Sequence, residues 1–359
     1  MYFGLPCCIS HGFIIVRRID SNFATHQSLQ NRLTLEQFLN TQAISHAEGL
    51  EVIQGLTQNP KTLPPKYFYD SKGSHLFEQI CQLPEYYPTR TETAILKQYA
   101  SEIAQLTGPC ELVELGSGSS TKTRILLDAY QKLEFPLRYI PIDVSAGMLE
   151  DTAQKLLTEY PSLQVHALAS TYEVALTKLP PTKMPTRMLC FIGSTLGNLD
   201  LDECDRFFSQ VTDTLTEGEY FLLGVDLQKP KEILEAAYND AQGITAEFNL
   251  NLLNHLNRRF QANFDLSLFE HWAFYNEDAR QIEMHLRSLK DQVIHLRELQ
   301  IEATFAAGET LRTEISRKFE LQQMQAYLQA KGLKTLKYWT DSRQWFGLIL
   351  AQLQLVEKN

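Results

Sequence analysis

One stretch constrains the fold more than any other: Cys110-Glu111-Leu112-Val113-Glu114-Leu115-Gly116-Ser117-Gly118-Ser119-Ser120, a strand-like run, a glycine turn and then the start of a helix. Gly116 can take positive φ and Gly118 lets the backbone approach a ligand, so amide N–H groups at the next helix N-terminus can face an anionic or polar group. A dinucleotide fingerprint asks for glycine again three positions after Gly118, and the chain has Thr121 there, which weakens a pyrophosphate site. The next strand-like run, Tyr139-Ile140-Pro141-Ile142-Asp143-Val144-Ser145, carries an acid able to accept both hydroxyls of a ribose. Glycine turn, following helix and strand-end acid together suit S-adenosylmethionine, which has no phosphates to cradle. A plain α/β turn and a NAD site are the alternatives.

Around that turn, strand-like runs at 112–115, 139–143, 163–169, 188–193 and 220–225 alternate with helical ones. Such alternation is the sequence form of a doubly wound parallel sheet. Upstream, 33–56 carries apolar residues at helical spacing (Leu35, Phe38, Leu39, Ile44, Leu50, Ile53, Leu56) and ends at prolines, which predicts a helical arm. A helix over 89–106 is expected to be capped by Thr89, with Glu92 in its first turn. Past Asp226 the rhythm changes: 231–259 reads as helical and rich in asparagine, and strand-like pieces follow at 281–286 and 300–303. A helix near 318–329 and apolar strands at 333–339 and 345–352 then return to the first theme. The expected division is a cofactor-binding α/β domain over 59–227 and 319–359, and an inserted α+β domain over 34–58 and 228–318 that bears substrate contacts. Residues 1–33 lack clear periodicity and are expected to be a disordered extension.

The formal net charge of −10 is scattered, with no basic stripe to neutralise phosphates, so nucleic acid is not an expected partner and small-molecule chemistry is favoured. Six cysteines show no CxxC pair and no zinc-ligand spacing, and reduced thiols in a cytoplasmic protein are expected. The apolar run at 12–16 is too short for a signal peptide core or a membrane span.

Four further constellations carry polar chemistry, each with a plainer structural account. Leu83-Pro84-Glu85-Tyr86-Tyr87-Pro88 fixes a turn that presents two tyrosines, or simply packs them. Phe191-Ile192-Gly193-Ser194-Thr195-Leu196-Gly197-Asn198 ends the fourth strand on the ligand-binding edge of an open sheet, with Asn198 offering donor and acceptor, or merely capping a helix. Tyr238-Asn239-Asp240 with Ala246-Glu247-Phe248-Asn249 is dense in polar and aromatic groups, as a surface helix also is. If 312–316 is extended, Glu314 and Ser316 share a face and set a carboxylate acceptor beside a hydroxyl; an exposed ion-pair strand is the alternative.

Taken together and in this order, Tyr67-Phe68-Tyr69-Asp70, the Tyr86-Tyr87 turn, Glu114-Leu115-Gly116-Ser117-Gly118, Gly193-Ser194-Thr195-Leu196-Gly197-Asn198, Ala246-Glu247-Phe248-Asn249 and Arg312-Thr313-Glu314-Ile315-Ser316 resemble the histidine Nα-methyltransferases of ergothioneine biosynthesis. The resemblance spans almost everything from Thr34 onward. It implies a Rossmann-like sheet of seven strands with the last antiparallel, and transfer of three methyl groups from S-adenosylmethionine to the α-amino group of L-histidine, giving hercynine. It implies that Tyr86, Asn198 and Tyr238 hold the substrate carboxylate, with Asn198 also near the amine. Glu314 and Ser316 then grip the imidazole, beside Met284. Tyr69, Gly116, Lys122, Asp143 and Gly193 match positions around the cofactor. The family's Asp-Phe at the adenine site is replaced here by Thr171-Tyr172, which leaves adenine recognition to a hydroxyl or a backbone group. Tyr69 and Asn198 are the expected catalytic residues, with Tyr69 the candidate base through its hydroxyl or a water. No metal is required, and a monomer is expected. A methyltransferase acting on tryptophan, tyrosine or a derived amine is the nearest alternative, and a non-catalytic cofactor-binding subunit the more distant one.

Overall fold

The computed structural model describes residues 31–38 and 41–354. Its strands are β1 (Leu33–Gln37), β2 (Lys61–Thr62), β3 (Cys110–Leu115), β4 (Arg138–Asp143), β5 (Gln164–Ala169), β6 (Thr186–Phe191), β7 (Tyr220–Asp226), β8 (Phe269–Asn276), β9 (Gln281–Ser288), β10 (Gln292–Leu296), β11 (Ile301–Phe305), β12 (Thr310–Arg317), β13 (Leu333–Thr340) and β14 (Phe346–Leu353). Eight of them form one sheet in the order β1-β5-β4-β3-β6-β7-β14-β13. β5, β4, β3, β6 and β7 run parallel, and β14 is antiparallel to β7 and β13. Every residue of β3 and β7 is buried, as expected of central parallel strands covered on both faces by helices. Strand order reverses between β3 and β6, so the carboxyl ends of β3, β4, β6 and β7 open on one crevice, the usual ligand edge of such a sheet.

The strand count differs from the expected seven because Leu33–Gln37 is a strand, not part of a helical arm. It pairs in parallel with β5 from Leu33↔Val165 to Gln37↔Ala169. Leu33 and Leu35, two apart, pack on the core of the large sheet, while the Arg32 guanidinium donates to the carbonyls of Leu157, Tyr160 and Leu163. A period of two thus prevails over the coincidental helical spacing, and the helix begins only at Thr41 (Thr41–Thr57). The expected disordered extension over 1–33 lies, apart from residues 31–33, outside the described residues. The helix expected at 89–106 spans Tyr87–Thr107, and Pro88 at its first turn displaces Thr89 from the cap.

After β7 the chain builds a second layer: helices Lys231–Ala236 and Ile244–Phe260, a four-stranded sheet β2-β12-β9-β8, and the hairpin β10-β11. Leu252, Leu253 and Leu256 of the long helix, with Ile282, Met284 and Leu286 of β9, form a separate apolar core. The two layers touch where Gly197 meets β12: a Cβ there would stand 3.0 Å from the Arg317 carbonyl oxygen, so only glycine allows the approach. Among the described residues no helix is long and apolar enough to cross a membrane.

Candidate active site

The cofactor edge is held by backbone geometry. Gly116 (φ 73°) and Gly118 (φ 48°) adopt left-handed conformations, and the Gly118 N–H donates to Asp143 Oδ2 at 2.9 Å, while the Ser145 N–H donates to Oδ1 at 3.0 Å. Asp143 therefore ties the β3 turn to the end of β4, and each of its oxygens keeps a lone pair for a ligand hydroxyl. Beneath the turn, Glu114 accepts from Thr123 and Tyr139; burial pushes its carboxyl up to about 7 against those donors. The Ser117 and Ser170 hydroxyls are buried without a partner at the same edge, which fits a polar group that the protein alone does not supply. Tyr172 packs its ring against Phe191 (5.9 Å) and Phe207 (5.6 Å).

Glu92, fully buried, organises the other wall. It accepts from the Gly193 N–H at 2.8 and 2.9 Å and from Lys122 at 2.5 Å. A Cβ on Gly224 would fall 2.1 Å from Glu92 Oε1, so β7 also needs a glycine here. Lys122 and Gly193, distant in sequence, are thus fixed by one carboxylate. Sequence reasoning missed this role, because an acid in a first helical turn reads as a dipole partner.

The acceptor side is walled by aromatic rings. Tyr69 lies edge-on to Phe77 (5.7 Å) and Phe248 (5.8 Å), Phe77 to Tyr86 (6.3 Å), and Tyr86 to Tyr238 (6.2 Å). Burial raises the phenols of Tyr69 and Tyr86 well above their ordinary value; Glu314 adds to both, and Asp143 adds to Tyr69. Tyr69, which keeps 39% of its surface exposed, thus feels both the Asp143 and the Glu314 carboxylates and remains a neutral phenol. The hydroxyls of Tyr69 and Tyr86, the Asn198 amide and the Glu314 carboxylate have no hydrogen-bond partner among the described residues.

A β-bulge aims Glu314. In β12, Leu311 pairs with Leu286 and Arg312 with His285, but Glu314 rather than Thr313 pairs with Met284. Simple alternation from the buried Leu311 would turn Glu314 and Ser316 outward; the one-residue shift brings them onto the inner face beside Met284. The extra residue, Thr313, is fully buried and donates to Asn249 Oδ1 at 2.7 Å and to the Met284 carbonyl at 3.1 Å, while Asn249 Nδ2 donates to the His285 carbonyl at 2.9 Å. Asn249 is a structural clamp and not a surface residue. Burial pushes the Glu314 carboxyl up to about 7, with Lys318 pulling the other way.

Below this face lies a network without a counterpart in the sequence reading. Asp226 at the end of β7 accepts from Tyr87 at 2.7 Å and pairs with Lys229 and Lys318. Lys318 also donates to Ser316 Oγ at 2.8 Å and to the Tyr238 hydroxyl at 3.2 Å, and Tyr238 donates to Ser316 at 2.8 Å. The Tyr238 hydroxyl is thus engaged, unlike those of Tyr69 and Tyr86. Burial opposes the Lys318 charge, yet Asp226 and then Tyr238 outweigh it and hold the ammonium above its usual pKa.

A family model described as histidine-specific methyltransferase, SAM-dependent, matches residues 48–353. The chain is 45% identical over 319 residues to a histidine N-alpha-methyltransferase of Mycolicibacterium smegmatis, covering 89% of this chain and 99% of that protein. It is 41% identical to a protein of the same name from Mycobacterium tuberculosis, over 89% of this chain and 99% of that protein. It is also 28% identical to ergothioneine biosynthesis protein 1 of Neurospora crassa, over 82% of this chain and 34% of that longer protein.

Proposed function

Because the chain belongs to the SAM-dependent histidine-specific methyltransferase family, we propose that its aromatic-walled cavity receives L-histidine and holds the α-amine against the cofactor edge. The protein transfers methyl groups from S-adenosylmethionine to that amine, three in succession, giving hercynine, the first step of ergothioneine biosynthesis. The observation that carries this reading is the gathering of Tyr69, Tyr86 and Glu314, three polar side chains with no hydrogen-bond partner among the described residues, at one aromatic-walled site, with Asn198 on the turn whose Gly197 meets β12. Unpaired polar groups gathered in a partly buried site are costly unless a ligand pairs with them.

In this reading Gly116, Lys122, Asp143, Thr171 and Gly193 hold the cofactor, which supplies an electrophilic methyl on a sulfonium. Tyr86, Asn198 and Tyr238 bind the carboxylate, with Tyr238 exchanging its bond to Ser316 to do so. Glu314 and Ser316 take the imidazole, and Met284 packs beside it. Methyl transfer to an amine is an in-line displacement, so orientation is the main contribution the chain makes, and it can supply roughly 7–11 kcal/mol of the barrier. As a neutral phenol, Tyr69 orients the amine directly or through a water and does not itself act as a strong base. The growing quaternary cation loses its hydrogen bonds but gains aromatic faces, at about 0.5–2 kcal/mol each.

The cofactor is held by 59–227 and 319–359 and the acceptor by 34–58 and 228–318, except that β1 joins the large sheet and β2 the small one. We also place the protein in the cytoplasm as a monomer. The unpaired thiols of Cys81, Cys110, Cys190 and Cys204 agree with a reducing compartment, and light scattering tests the monomer. Mass spectrometry of histidine incubated with S-adenosylmethionine and the protein should show mono-, di- and trimethylated products. Methylation of tryptophan or tyrosine in preference to histidine, or none at all, would overturn the assignment.

A further inference from the structure

Glu92 is wholly buried in the helix Tyr87–Thr107, among apolar neighbours that have no use for a carboxylate. Among the described residues it is the sole acceptor for the Lys122 ammonium, which comes from the next helix, Thr121–Lys132. Its other contacts are with backbone: the Gly193 N–H reaches both of its oxygens, and any Cβ on Gly224 would collide with Oε1. The carboxylate is walled in and cannot turn.

Lys122 stands in the first turn of its helix, where the unpaired amides and the helix dipole disfavour a cation. Left alone on a flexible four-carbon stem, with 22% of its side chain exposed, that ammonium would swing into water. Glu92 holds it instead over the Gly193 turn, with Nζ 3.1 Å from where a Gly193 Cβ would stand. One of its three hydrogens goes to Glu92 at 2.5 Å, and no acceptor for the other two lies among the described residues. The Ser117 hydroxyl, buried on the turn that enters the same helix, is likewise without a partner. Free donors at the amide end of a helix suit an anion. S-adenosylmethionine carries a sulfonium, an α-ammonium and a carboxylate, and only the last is anionic.

We propose that Glu92 is a positioning residue for the cofactor: it holds the Lys122 ammonium ready to receive the carboxylate of the cofactor's amino-acid tail. The inference rests on the reading that Lys122 and Gly193 line the cofactor site. A glutamine in place of Glu92 has a single acceptor oxygen. Whichever way its amide turns, the NH2 faces a donor, either Lys122 or the Gly193 N–H, and the ion pair is lost in both cases.

Calorimetry on the full chain tests this with two ligands, S-adenosylhomocysteine and its decarboxylated form, which keeps the adenosine, the thioether and the amine. The wild type should bind S-adenosylhomocysteine about tenfold or more tighter than the decarboxylated form. Glu92→Gln should shrink that ratio to within about threefold, and in a Lys122→Met background the same substitution should alter it no further. A Glu92 that merely supported the fold would weaken both ligands alike, so a Glu92→Gln protein that keeps the full ratio would overturn the inference. Lys122→Met alone should shrink the ratio as far, and a full ratio there would overturn it even where Glu92→Gln does not fold. Equal affinity of the wild type for the two ligands would overturn it with no variant at all. Failure of the wild type to bind S-adenosylhomocysteine is a separate result, which removes the cofactor reading and the inference with it, whereas failure to bind histidine leaves the inference standing.

Discussion

At the scale of single residues, Glu314 shows how a site sets function against stability. Its carboxyl is pushed up to about 7 by burial, whereas an unfolded glutamate titrates near 4.3. A raised carboxyl pKa favours the folded state fully below the unfolded value, and that contribution is lost as pH rises through the folded value. The ligand-free protein therefore bears a penalty for Glu314 that grows from about pH 4.3 to 7. Glu314→Gln should raise the melting temperature of the ligand-free protein relative to wild type at pH 8 but not at pH 4.5, while histidine binding is lost. A melting difference that does not grow with pH would dismiss the carboxylate as its source. The ionised form is also the one that accepts a ring N–H, so wild-type histidine affinity should weaken as pH falls below 7. That Glu314 and Ser316 share one face of β12 was legible in the sequence, because residues two apart on a strand do. Glu92 and Lys318 were not, since their meaning lies in partners from other elements: Gly193 and Lys122 for one, Asp226 and Tyr238 for the other.

At the scale of elements, the glycine turn, the alternating strands and the closing β13–β14 pair were readable from apolar runs and turn residues. β1 was not: five residues with two leucines fit a helix as well as a strand until the edge of β5 supplies a partner. The bulge in β12 was equally hidden. Sequence gives the period of a strand but not its phase, and here the phase decides whether Glu314 faces the cavity or solvent. The phase is held by Thr313, whose hydroxyl donates to Asn249 and Met284. Thr313→Val keeps the shape and removes both bonds, leaving Asn249 Oδ1 buried without its donor, at about 1–3 kcal/mol. We expect histidine KM to rise about tenfold or more with S-adenosylhomocysteine affinity unchanged. Unaltered KM would mean that strand pairing alone fixes the bulge.

At the scale of the whole molecule, two apolar cores invite the expectation of two independent folding units, yet the chain path argues for one. β7 needs β14 as its neighbour, and β14 follows the entire second layer in sequence, so the large sheet closes only after 227–345 has been traversed. The junction is polar and buried: the Phe319 N–H donates to the Asp226 carbonyl at 2.9 Å, the Gln228 N–H to the Phe319 carbonyl at 3.0 Å, and Lys318 reaches back to the Asp226 carboxylate. Opening the second layer alone would expose that ion pair's partners and the Gly197 contact with Arg317 together. Breaking a buried charge pair costs about 3–5 kcal/mol, enough to couple the layers. Calorimetric unfolding should therefore show a single transition, with calorimetric and van't Hoff enthalpies in agreement. A ligand of either layer should move that whole transition: histidine at 100 times its Kd adds about 2.7 kcal/mol of stability, as does S-adenosylhomocysteine at the same excess. Two resolved transitions, with S-adenosylhomocysteine shifting one and histidine the other, would show that the cores fold independently and that the Asp226 junction forms only once both are in place.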